Sequence, residues 1–318
     1  MVRDNYIDSV KTLLIISVVL THSLVRLGTG SLDEHIVMNF LYTCNMPLFI
    51  FVSGFLFSSK KSWNKVLMGG VELFVIYCIF QSIWMAMNHT SLSYKSFFFP
   101  QFSLWYLLSL VFWRIMQKGL SSISENKNLW LLIAFIVSMC CGFIPIEREM
   151  SFQRTFSFFP FFVMGCMCRG TGAIDYIRAA DKRIALFIIC GLVIVFSLVG
   201  KPPYWLVCGR TSFYSYHADI VLAPFVKLCW YFAAVVLSSC FLNLIPDKEI
   251  LSKHGPKTLT VYVLHYFPIW ALRNWGGRSE SLLLLTILSL AISFLLFYVH
   301  KFKFVTLFTN PISICNRK

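Results

Sequence analysis

Apolar residues come in long runs from one end of the chain to the other, broken by short polar connections. A membrane span needs about 20 predominantly apolar residues, and sometimes as few as about 17. On that measure the pattern predicts ten spans, at roughly 10–27, 36–58, 66–87, 103–117, 129–146, 156–169, 184–200, 221–245, 258–275 and 281–299, the fourth and sixth being the shortest. Backbone amides and carbonyls in hydrocarbon must bond within their own segment, so each run predicts a helix. The expected fold is an all-α polytopic membrane protein, with about ten transmembrane helices in one bundle. No polar block is long enough to fold by itself, so residues 1–318 read as a single integral-membrane domain.

Composition points the same way: 58% of the 318 residues are hydrophobic and 13% charged, with a mean hydropathy of +0.71. The formal net charge of +14 raises the question of nucleic acid. Lys and Arg fall in short clusters between apolar runs rather than on one face, so no nucleic-acid partner is expected and the charge reads as membrane topology. One set of connections receives Arg3, then Lys60, Lys61 and Lys65, then Lys118 and Lys127, then Arg169 to Arg183, then Lys248, Lys253 and Lys257, and finally Lys301, Lys303, Arg317 and Lys318. Positive residues are retained on the cytoplasmic side, which predicts both termini there, in a plasma (inner) membrane. The opposite connections are leaner and hold Arg26, Asp33, Glu34, Arg148, Arg154 and Arg210. Eleven cysteines include no CxxC pair and lie mostly within apolar runs, so neither a metal site nor a disulfide framework follows. The first run follows Arg3 as a signal peptide does, but Asp4 and Asp8 flank it and no small-residue cleavage site follows His22, which predicts an uncleaved span.

Ionisable residues inside spans are costly and mark candidate chemistry. Lys11 and His22, eleven residues apart in the first run, share a helix face about 16 Å apart along the axis. Two readings stand for each: Lys11 snorkels to headgroups or attracts an anion, and His22 hydrogen-bonds a neighbouring helix or handles a proton. The second run carries Asn45-Met46-Pro47 and Ser53-Gly54, which suit either a simple kink or a broken, closely packed helix lining a cavity. His265, near the middle of the ninth run, suits an interhelical hydrogen bond or a polar cavity. Trp105, Tyr106, Arg148, Arg154 and Arg210 lie at predicted outer ends. Together they suit an aromatic and cationic surface for a glycan or its anionic carrier, and singly they suit interface anchors.

Five ordered motifs carry a resemblance. They are Asp8-x-x-Lys11 running on to His22, Asn45-Met46-Pro47-Leu48-Phe49 followed by Ser53-Gly54, Leu104-Trp105-Tyr106-Leu107-Leu108 followed by Arg114, Arg154 with Phe158-Phe159-Pro160-Phe161-Phe162 and Gly165, and Leu259-x-x-Tyr262-x-x-His265. Together they resemble the membrane-bound acyltransferase-3 family and, within it, the fucose 4-O-acetylase-like branch. Two positions depart from that pattern, with Lys11 where much of the wider family has Arg and Asn45 where His is common.

The resemblance implies an O-acyltransferase using cytoplasmic acetyl-CoA, or succinyl-CoA, as cosubstrate, with no metal, and a glycan or lipid-linked oligosaccharide as acceptor. It places His22 as the catalytic residue, either a general base or the site of a transient acyl-histidine. It assigns Lys11, with Lys60, Lys61 or Arg114, to the CoA phosphates. It puts Asn45, Ser53, Trp105, Tyr106, Arg154 and His265 on the substrate side. No acidic residue is clearly placed to orient His22; Asp219 is the nearest to a candidate. A proton-coupled carrier is the competing reading, against which stands the lack of two matching interrupted helices in the two halves of the chain.

Overall fold

Asp4 starts the first helix. Its carboxylate accepts from the amides of Tyr6 (3.0 Å) and Ile7 (3.2 Å), two of the donors that every helix N-terminus leaves open. Helix α1 then runs over Asn5–Leu27, beginning before the apolar run itself because the cap and the buried Tyr6 and Ile7 hold its first turn. The computed structural model describes residues 4–89, 94–146, 149–199, 204–214, 219–279 and 281–309. Arg3, Arg148, Arg317 and Lys318 lie outside the described residues. The remaining helices are α2 (Leu32–Leu56), α3 (Trp63–Met87), α4 (Trp105–Ile123), α5 (Lys127–Cys141), α6 (Phe152–Cys168), α7 (Ala173–Ala179), α8 (Lys182–Val199), α9 (Tyr204–Val207), α10 (Leu222–Leu244), α11 (Glu249–Ser252), α12 (Thr258–Leu264), α13 (Tyr266–Gly276), α14 (Leu282–Val299) and α15 (Lys303–Thr309).

The described residues are all-helical, and among them α1, α2, α3, α10 and α14 are the five helices long and apolar enough to cross a membrane. A sixth crossing follows if Glu149–Cys168 and Ala173–Ala179, bent by 92° at their junction, count as one span. Of the other predicted runs, α4 and α8 are unbroken helices of 19 and 18 residues, and two others are shortened or divided. The fifth stops after 15 residues at Cys141, before Gly142, and the ninth divides at His265 into α12 and α13. Pro268 accounts for that division, because it has no N–H for the Leu264 carbonyl and its ring crowds that oxygen. Large apolar side chains stand outward, among them Phe187 (81% exposed), Phe232 (73%) and Leu283 (70%). Lipid rather than water suits such a surface, and the protein is an integral membrane protein.

Two compact units divide the chain. The first comprises Met1–Phe49, Gly172–Pro202 and Trp230–Thr306, and the second Ile50–Thr171, Pro203–Cys229 and Leu307–Lys318. In the first, α1 packs on α11, α13 and α14, and its polar side chains reach the backbone around α11. Tyr6 donates to the Leu242 carbonyl (2.5 Å), Ser9 to that of Lys248 (3.3 Å) and Thr12 to that of Leu251 (2.9 Å). Gly255 lies flush on Asp8, where a Cβ would overlap the carboxylate.

In the second unit α6 packs on α5 and α4, and α4 on α3. Ser109 and Thr155 share a hydrogen bond (2.7 Å), and the Trp113 indole donates to the Thr155 carbonyl (2.6 Å). Two glycines let α2 and α6 approach closely: Gly54 abuts the Phe162 carbonyl of α6, and Gly165 abuts the Phe51 carbonyl of α2. Lys227 of α10 is buried and donates to the Ser138 carbonyl (2.7 Å) and the Ser157 hydroxyl (3.1 Å), joining α10 to α5 and α6. A buried ammonium needs such acceptors, since its desolvation is otherwise prohibitive.

Candidate active site

Within the first unit the break at Pro268 has a consequence for His22. It brings two consecutive side chains, His265 and Tyr266, to the same imidazole. The His22 and His265 ring centroids are 5.1 Å apart at 39°, and the Tyr266 ring meets His22 edge-on at 5.7 Å. His265 is fully buried, whereas His22 keeps part of its surface open.

His265 Nδ1 lies 2.7 Å from the Tyr262 carbonyl and 3.2 Å from that of Val261. Carbonyls only accept, so Nδ1 carries a proton, and in the neutral ring Nε2 holds the lone pair. That Nε2 is buried without a hydrogen-bond partner among the described residues. A buried nitrogen of this kind beside a half-open imidazole is a place where a proton can be accepted, or a substrate hydroxyl or carbonyl held.

Arg26 follows His22 by one helical turn and so shares its face. Its guanidinium lies over the Tyr266 ring, 5.3 Å from the centroid, and the side chain is exposed. This end of the site is therefore cationic and open. Below His22 the face is closed by Asn45 of α2, whose amide nitrogen donates to Thr21 Oγ1 (2.9 Å) and whose oxygen accepts from Ser17 Oγ (2.7 Å). Asn45 fastens α2 to α1 beside the histidine. Lys11 is not a lone cation, since its ammonium lies 2.9 Å from the Asp8 carboxylate. The structure describes Asp219 as the cap of the turn leading into α10, its Oδ1 taking the amides of Val221 (2.9 Å) and Leu222 (3.2 Å), in the second unit rather than in that of His22.

The second unit holds the other residues singled out in the sequence. Trp105 and Tyr106 are buried rather than open to a ligand (7% and 4% exposed), and the Tyr106 and Ser53 hydroxyls bond each other (2.5 Å). Arg154 lies over the Trp105 ring at 4.7 Å and donates to the Cys208 carbonyl (3.3 Å). Lys60 is exposed just before Lys61. Partial burial, then the charges of Arg114, Arg169 and Lys65, push the Lys61 ammonium below the ordinary lysine range. Four cations that repel one another in this way make a site that an anion of several charges would relieve.

Sequence reasoning singled out His22 and His265 but not Tyr266 as the ring that joins them. Arg26 had a signal, its place one turn beyond His22 on the same face. Tyr266 had none, because adjacent positions on an unbroken helix point about 100° apart.

The sequence matches the profile of the acyltransferase-3 family, an acyltransferase domain, over residues 4–300. No curated protein and no solved structure matches the chain. The profile takes in α1 with His22 and the α12 and α13 segments with His265 and Tyr266, so the matched length includes the whole histidine cluster. The chain belongs to the acyltransferase-3 family and is a membrane acyltransferase.

Proposed function

We propose that this acyltransferase moves an acetyl group from acetyl-CoA to a hydroxyl of a glycan or its lipid-linked precursor, with His22 as the general base. The observation that carries the reading is the half-open His22 ring held between the buried His265 and the edge of Tyr266. His22 takes the proton of the acceptor hydroxyl, and the oxygen attacks the thioester carbonyl carbon. The C–S bond then breaks, and the departing CoA sulfur takes the proton from His22. His265 and Tyr266 fix the attitude of the His22 ring, and His265 Nε2 is an acceptor for a second hydroxyl of the substrate.

Donor binding follows from charge. Lys11 stands on the same helix face as His22, and Asp8 holds its ammonium in place. Along that face runs a path of about 16 Å, suited to the extended arm of CoA. The cations around Lys61 in the other unit suit the same class of polyphosphate anion. Ten crossings in one bundle, with both termini in the cytoplasm of an inner membrane, agree with the alternation of Lys and Arg along the chain. Ser53, Trp105, Tyr106 and Arg154 are packed within the second unit and are assigned no open contact with the acceptor.

Purified protein incubated with acetyl-CoA labelled in the acetyl group, together with capsular, exopolysaccharide and O-antigen glycans, is expected to pass label to one of them as an ester. Label that stays on CoA with every acceptor, or that reaches only amines, would sink the proposal. Lys61→Glu is expected to raise KM for acetyl-CoA by roughly tenfold at low salt, with the effect shrinking as ionic strength rises. An unchanged KM for the donor would remove Lys61 from donor binding.

A further inference from the structure

Glu34 is a buried carboxylate that the proposed transfer does not use. It lies in the first turn of α2 with 0% of its surface exposed. One oxygen, Oε2, accepts the Gly30 amide (2.7 Å) and closes the connection between α1 and α2. The carboxylate is pressed on Gly28, where a Cβ would stand 2.5 Å from Oε2 and 2.9 Å from Cδ, so this position requires glycine. The other oxygen, Oε1, is buried and has no hydrogen-bond partner among the described residues.

Closing the loop does not require that second oxygen. A glutamine or a hydroxyl would serve the Gly30 amide as well, without an ionised group away from water. Buried carboxylate oxygens without a donor are rare, and each calls for an explanation such as a ligand or a catalytic role. The position supplies one. Gly28 follows His22 by six residues, about 9 Å along the helix axis, at the end of α1 that also carries the exposed Arg26 over Tyr266. A sugar presents hydroxyls on neighbouring carbons and neighbouring rings, so one hydroxyl at His22 leaves others to be held further along the same end of the helix.

We propose that Glu34 accepts a hydrogen bond from a hydroxyl of the acyl acceptor other than the one that is acylated, and thereby sets which hydroxyl reaches His22. The assignment rests on the acetyl-transfer reading for its substrate class, a polyhydroxylated sugar. Carboxylates suit this task because Oε1 takes a neutral hydroxyl donor at full strength while Oε2 keeps its backbone bond. Glu34 is a positioning residue here and takes no proton from the reacting hydroxyl.

The test is equilibrium binding, without any acyl donor, of the methyl glycosides of glucose, galactose, mannose and N-acetylglucosamine to the purified full chain, as wild type and as Glu34→Gln. Acetyl transfer to each glycoside that binds is measured in parallel. The glutamine retains an oxygen for the Gly30 amide and replaces the other acceptor with a donor. Expected is a rise of about tenfold to a hundredfold in glycoside Kd and in acceptor KM, with KM for acetyl-CoA and the melting temperature unchanged. Glu34→Asp, which keeps the charge, is expected to fall between the two. Equal glycoside affinity in wild type and Glu34→Gln overturns the proposal, as does a lowered melting temperature with unchanged affinity, which would confine Glu34 to loop closure. Wild-type protein that binds none of the four also overturns it, whereas label transfer to a lipid-linked glycan would then still support the transferase reading. Glycoside binding that depends on Glu34 without any acetyl transfer sinks the acetyl-transfer reading and leaves Glu34 only as a residue that binds a sugar hydroxyl.

Discussion

His22→Ala is expected to lower acetyl transfer by about a hundredfold to ten-thousandfold, the usual contribution of a positioned acid–base group, while the protein remains folded in the membrane. The imidazole is half-open and meets the His265 and Tyr266 rings at its buried side. The loss should fall on kcat, with KM for acetyl-CoA nearly unchanged, because the proton moves only in the transition state. His265→Ala should show a smaller loss through a misplaced His22 ring. Turnover near wild type in a monodisperse His22→Ala preparation would remove the histidine from the chemistry. A collapse of both turnover and melting temperature would instead give it a structural duty.

The largest expected effect on stability lies away from the histidines. Gly54→Ala and Gly165→Ala should each destabilise the second unit by about 3 kcal/mol or more, at or above the upper part of the range for overpacked cores. A Cβ at Gly54 runs into the Phe162 carbonyl, and one at Gly165 into that of Phe51. These are backbone atoms and cannot rotate aside, so α2 and α6 have to separate. Pairs of small residues allow such close approach between membrane helices, where packing rather than hydrophobic expulsion provides the attraction. The double variant should be less destabilised than the sum of the two, since one separation relieves both collisions. Gly191→Ala in α8 is the control: nothing lies within 4 Å of its Cβ position, so only a small gain in helix propensity is expected. Size-exclusion profiles and melting temperatures in detergent measure all of these. A Gly54→Ala protein as stable as Gly191→Ala would show that the two helices do not meet as described.

Much of the helical layout was legible because hydrocarbon leaves the backbone one economical solution. The run predicted at 36–58 and the helix Leu32–Leu56 differ only at their ends, where apolar content says little about caps. The first helix begins earlier than its run because Asp4 is read as a charge in the sequence and serves as a cap in the structure. The ninth run reads as unbroken, since Pro268 lies among apolar neighbours that mask its effect on the Leu264 carbonyl. The site was legible in part for the same reason. An ionisable side chain in an apolar run stands out, and both His22 and His265 do. Their meeting did not, because it depends on which segments pack on α1, and periodicity within one helix carries no record of that. Glu34 was hidden among acidic residues of a polar connection, and only its burial separates it from Asp33.

Tyr6 closes on the Leu242 carbonyl across 236 residues of chain, and His22 waits on a ring that comes later still. Helix α1 therefore leaves the ribosome and enters the bilayer long before these partners exist. At about 5–20 residues per second the delay is on the order of ten to fifty seconds. During it the hydroxyls of Ser9 and Thr12 and the Asp8–Lys11 pair must be sheltered by lipid headgroups or by the insertion machinery. Nascent chains released anywhere before residue 265 would carry the histidine of α1 without the imidazole it packs against. Such products should be cleared by membrane proteases rather than accumulate as weakly active enzyme.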